Sequence, residues 1–115
     1  MNSNPRFLLL LACLSALGGC AGGKPQPEQK PDFAGGGRVF DSYCAQCHLD
    51  PDNEAPQLDE ADDWDLRTHL WAAILKDHAK NGFLRMPAKG GQATLSNQSL
   101  NDALYYMEVK IKALQ

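Results

Sequence analysis

Apolar positions along this chain fall into four blocks separated by polar stretches of unequal length. The first, Phe7 to Leu17, is continuous apart from Ser15. The other three are periodic. Val39, Phe40 and Tyr43 stand at helical spacing and predict a helix over Arg38–Cys47. Leu66, Leu70, Ile74, Leu75 and Ala79 form one stripe over Leu66–Lys80, which Asn81-Gly82 stops. Leu100, Leu104, Met107, Ile111 and Leu114 mark the buried face of a last helix capped by Ser96 or Ser99. Between these helices lie Leu49 to Asp63, with Pro51, Pro56 and dense acids, and Phe83 to Leu95, with Met86-Pro87 and Gly90-Gly91. No stretch alternates as a strand does. The pattern predicts an all-α domain of three to four helices with two long loops. Loops of that length in so small a domain need something to support them.

The first block differs in kind. Arg6 precedes it, and it is too short to span a bilayer. It reads as an export leader over 1–19. Leu17-Gly18-Gly19 runs directly into Cys20, which resembles a bacterial lipobox whose cysteine becomes the lipidated first residue. Simple secretion, leaving Cys20 a free thiol, is the alternative. Ala21 after Cys20 lacks an acidic inner-membrane retention signal, so attachment to the outer membrane is slightly favoured. Residues 20–33 are rich in Gly, Pro, Gln and Lys and read as a flexible tether, with the folded domain over 34–115.

The formal net charge of −3 becomes one unit more negative once Arg6 leaves with the leader, which argues against a nucleic-acid partner. Of four cysteines, Cys13 leaves with the leader and Cys20 is the lipid candidate. Cys44 and Cys47 remain, in the run Cys44-Ala45-Gln46-Cys47-His48. At i, i+3 and i+4 the two thiols and the imidazole share one side of a helix. Two thioether bonds to haem vinyl groups, with an imidazole beneath the iron, require that spacing. An export signal fits, because this haem is attached outside the cytoplasm. A thioredoxin-type motif would need a strand before it and a βαβ context. Structural zinc would need further cysteine or histidine ligands in pairs. A Cys44–Cys47 disulfide is the remaining competing fate. The expected cofactor is one covalently bound haem c, with His48 on the iron. The sixth ligand is sought among Met86, Met107, His69 and His78. Met107 sits on an apolar stripe and the histidines read as surface residues. Met86 lies in a loop that Pro87 and nearby glycines can shape, and its thioether favours the ferrous state.

From Gly36 to Met107 the chain resembles the short bacterial class I cytochromes c of the c-five type. The matching stretches are Gly36-Gly37-Arg38-Val39-Phe40, Cys44 to His48, Ala55-Pro56, Ala61-Asp62-Asp63-Trp64 with Arg67, Asn81-Gly82, Met86-Pro87-Ala88-Lys89-Gly90-Gly91, Leu95-Ser96 and Tyr105-Tyr106-Met107. The resemblance implies a small α bundle around one haem, axial ligands His48 and Met86, and a hydrogen bond from the His48 ring to the Pro56 carbonyl. It also implies that Trp64 and Arg67 face the haem propionates and that Phe40 and Tyr106 cross where Gly36 or Gly37 lets two helices approach.

These features imply an electron carrier and not an enzyme. It would pass single electrons between transient redox protein partners on the periplasmic side of a membrane, held there by lipid on Cys20, with no small-molecule substrate. The alternatives are a haem subunit of a larger oxidoreductase, or a haem sensor or enzyme with a labile sixth ligand. Acids crowd 50–65 while Lys and Arg come later, an asymmetry able to steer a partner. The edge near Met86, Ala88 and Lys89 is the expected docking point.

Overall fold

The computed structural model describes residues 29–115, without the side chains of Leu66, Thr68, His69, Leu70, Trp71 and Ala72. The leader, Cys20, the tether up to residue 28 and the His69 side chain lie outside the described residues. Four helices follow in order: α1 (Phe33–Tyr43), α2 (Ala45–His48), α3 (Ala61–Asn81) and α4 (Asn97–Lys112). A 3-10 turn at Ala88–Gly91 stands between the last two. The all-α expectation holds among the described residues, where an isolated bridge between Phe83 and Met86 is the sole β-type pairing.

Helix α1 starts five residues before the apolar spacing places it. Asp32 caps it, its carboxylate accepting from the Ala34 N–H at 3.0 Å. The Asp32 N–H in turn donates to the Asp102 carboxylate at 3.0 Å, which ties the start of α1 to α4. Phe33, the last residue read as tether, is the first of the helix, with its ring 6.4 Å from Tyr105 and 5.0 Å from Tyr106. The run Gly35-Gly36-Gly37 hides this helix, because three glycines argue against one. Their reason is the neighbour: a Cβ on Gly36 would fall on the Asp102 carbonyl of α4, and one on Gly37 would sit 3.1 Å from the Tyr106 ring. The close α1–α4 crossing is the main helix packing of the fold.

Helix α3 also starts early, at Ala61 rather than Leu66. The acids that resemble a loop, Asp62 and Asp63, occupy its first turn, where the helix dipole favours negative charge. It stops where expected: Gly82, at φ 86°, donates to the His78 carbonyl at 2.8 Å. Ser96 caps α4, its hydroxyl accepting from the Ser99 N–H at 3.0 Å. Leu100, Ala103, Met107 and Ile111 are buried on α4, while Leu114, expected on that face, lies past the helix end and is exposed. Phe40, Leu58, Trp64, Met107 and Ile111 form the core. Each element therefore contributes only a few apolar side chains.

Replacing a helical glycine with alanine normally stabilises by about 0.5–1 kcal/mol. At Gly36 the clash with the Asp102 backbone reverses the sign, since overpacking costs about 1–3 kcal/mol. Gly36→Ala is expected to lower the melting temperature by about 10 °C, and an unchanged or raised value in a thermal unfolding scan would contradict this crossing.

Candidate haem site

The site grows out of the end of α1. The Cys44 N–H closes that helix on the Phe40 carbonyl at 2.8 Å. The Cys44 carbonyl then accepts from Cys47 at 3.1 Å and from His48 at 3.0 Å, which winds the single turn of α2. The two thiols and the imidazole therefore come from positions i, i+3 and i+4 of one tight turn. Both cysteines are free and half-buried, and His48 is buried. Burial, and secondarily Cys47 alongside, pushes the Cys44 thiol up from 9.0 to about 11. A reactive redox cysteine shows the opposite shift, toward thiolate.

His48 is fixed by its back side. Its Nδ1 lies 2.7 Å from the Pro56 carbonyl. A carbonyl only accepts, so Nδ1 carries the proton and Nε2 presents its lone pair. The Trp64 ring stands 6.1 Å from the His48 ring, tilted by 34°. The Trp64 indole N–H donates to the Gln57 carbonyl at 2.7 Å. Two thiols, an oriented imidazole and an apolar wall fit a covalently attached haem. Arg67, read from the resemblance as facing a propionate, is exposed and donates to the Asp63 carbonyl in its own helix.

The opposite loop is a chain of tight turns. Phe83 and Met86 exchange both backbone hydrogen bonds at 2.9 Å, with Leu84 held at φ 51° between them. Phe83 stacks on His78 at 3.8 Å and 4°, rooting this turn on the last turn of α3. His78 is thereby occupied in holding the loop, and Met107 is buried in the core. Met86 is half-buried, with its backbone pinned on both sides. Lys89, Gly90 and Gly91 all take positive φ. A Cβ on Gly90 would lie 3.2 Å from the Tyr43 carbonyl, so this loop reaches the residue next to Cys44.

Two charges close contacts around this loop. The Lys89 ammonium donates to the Leu95 carbonyl at 2.6 Å and is half-buried, so it staples the loop. Arg85, next to Met86, pairs with Glu54 of the Pro56 loop, and both side chains are exposed. Sequence reasoning also passed over Gln57. Its position just after the Ala55-Pro56 motif is the available signal, but its role depends on backbone carbonyls at Ala55 and Cys47 that only the folded loop brings to it.

An all-helical domain with this Cys-X-X-Cys-His turn, closed between two loops, defines a c-type cytochrome. Residues 31–107 match the model of the family described as cytochrome c oxidase, cbb3-type, subunit III. The chain is 32% identical over 84 residues to cytochrome c-555 of Prosthecochloris aestuarii, covering 66% of this chain and 85% of that protein. It is 31% identical over 80 residues to cytochrome c-555 of Chlorobaculum tepidum, covering 66% of this chain and 74% of that protein. The chain belongs to the small bacterial monohaem class I c-type cytochromes. It is an electron-transfer protein carrying covalently bound haem c, and not an enzyme.

Lys89→Glu puts a carboxylate against the Leu95 carbonyl and is expected to cost about 1–3 kcal/mol of stability. Chemical denaturation checks this. Unchanged stability would return Lys89 to the role of a free surface charge.

Proposed function

We propose that this cytochrome is a lipid-tethered carrier of single electrons on the periplasmic side of a bacterial membrane, with His48 and Met86 as axial ligands. The carrying observation is the His48 ring, tied through Nδ1 to the Pro56 carbonyl beside two half-buried thiols. That bond selects Nε2 for iron, and a ligating histidine held in this way is the more basic donor. Bound haem would supply a one-electron change between ferric and ferrous iron. Pro56 and Trp64 hold the His48 imidazole that would bind it, and the Phe83–Met86 turn, rooted on His78, would hold the Met86 thioether. Arg67 is assigned to the haem carboxylates, where its charge stabilises them. The tether and Cys20 lipid would keep the domain within reach of membrane redox proteins while leaving it free to turn.

A second reading is a haem subunit of a larger oxidoreductase. The description of the matched family and the exposed Leu84 and Phe83 beside Met86 favour it. The carrier is preferred because the matched c-555 cytochromes are themselves small proteins, of which this chain spans 85% and 74%.

The haem-loaded ferric protein is expected to be low-spin with the weak near-red band of methionine ligation. Met86→Ala should abolish that band, open the sixth position and lower the reduction potential. A wild-type high-spin spectrum, or a variant spectrum identical to wild type, contradicts Met86 ligation. For the anchor, Cys20→Ser should move the protein from the membrane to the soluble fraction, and continued membrane association would argue against the lipid.

A further inference from the structure

The loop that carries Pro56 is organised around its neighbour. Gln57 Nε2 donates to the Ala55 carbonyl at 2.8 Å and to the Cys47 carbonyl at 3.1 Å, with a longer approach to Asn53 at 3.4 Å. The Gln57 N–H donates to the Asp63 carboxylate at 2.8 Å. Its carbonyl accepts the Trp64 indole N–H at 2.7 Å. One residue thus joins the haem-attachment turn, Ala55 on the far side of Pro56 and the first turn of α3. Immediately after it, the Leu58 N–H donates to the His48 carbonyl at 2.7 Å. Proline has no N–H of its own to anchor, so the direction of the Pro56 carbonyl is decided by how Ala55 and Gln57 are held.

We propose that Gln57 is a positioning residue: it aims the Pro56 carbonyl at His48 Nδ1 and thereby sets how strongly His48 donates to the iron. This rests on the His48 ligation proposed above. The direction of the effect follows from the chemistry. A strong hydrogen bond from Nδ1 makes the imidazole a better donor and stabilises ferric iron. A loosened bond destabilises the ferric form, and the reduction potential rises. The Gln57 amide is half-buried and supplies both hydrogens to backbone carbonyls, so no other side-chain chemistry of similar length substitutes for it.

The test uses the full haem-loaded protein and two variants. Gln57→Met keeps length and bulk and removes both donors. Gln57→Glu keeps the shape and sets a carboxylate against the Cys47 and Ala55 carbonyls. Midpoint potentials are measured by spectroelectrochemistry while the near-red band is followed, and exchange of the His48 Nδ1 proton is followed by NMR in the ferrous protein. Gln57→Met is expected to raise the ferrous-to-ferric ratio at a fixed solution potential, because a loosened outer hydrogen bond leaves His48 the weaker donor to ferric iron; in Gln57→Glu the added negative charge opposes that change, so this variant is read by proton exchange. Both variants should speed Nδ1 proton exchange, with the near-red band intact. If Gln57→Glu fails to fold, Gln57→Met alone decides. A lower melting temperature with unchanged potential and exchange overturns the proposal and leaves Gln57 a purely structural residue. Wild-type His48 resonances unshifted by ferric iron overturn the ligand assignment itself, and the proposal with it, so the two failures are distinguishable.

Discussion

The hydrogen bond from His48 Nδ1 to the Pro56 carbonyl, 2.7 Å long, is the contact on which the site depends. It decides which imidazole nitrogen is free, and therefore which side of the ring would meet iron under the proposed ligation. It also explains the loop between α2 and α3. Residues 49–60 contain no regular helix or strand, yet they are held at Cys47, His48, Asp63 and Trp64. A long loop that merely crossed the surface would not need so many attachments to the turn it serves.

The opposite loop follows the same logic with different means. Its backbone takes positive φ at Gly82, Leu84, Lys89, Gly90 and Gly91, and a half-buried ammonium closes it on Leu95. At Leu84 and Lys89 such conformations cost free energy and persist where the surroundings over-determine them. Here the surroundings are His78 beneath Phe83 and the Tyr43 carbonyl against Gly90. The exposed Arg85–Glu54 pair links the two loops, but an ion pair so open to solvent contributes under about 1 kcal/mol. The rigid frame is the α1–α4 crossing at Gly36, with the core of Phe40, Leu58, Trp64, Met107 and Ile111 between the two loops and that crossing. With a core this small, a covalent cofactor filling the space beside it is a large share of what holds such a domain.

Much of this was legible in the sequence, unevenly and for physical reasons. Cys44, Cys47 and His48 are recognisable because their chemistry demands a fixed local spacing. Gly82 and Ser96 are recognisable because helix ends have local rules. The start of α1 was not, because its glycines answer to Asp102, far along the chain. The start of α3 was not, because acids favoured by a helix dipole look the same as acids in a loop. The bond from Lys89 to the Leu95 carbonyl was not legible for a related reason: a backbone carbonyl six residues on carries no sequence signature. Gln57 had only its place after Ala55-Pro56 to mark it, because its side-chain partners are backbone carbonyls, which carry no sequence signature.

The most direct test is a high-resolution structure of the haem-loaded protein. The account predicts His48 Nε2 on the iron, Nδ1 still within hydrogen-bond distance of the Pro56 carbonyl, and the Met86 sulfur on the opposite axial position. A His48 ring turned away from Pro56, or an iron whose sixth position is filled by a group other than Met86, would contradict it.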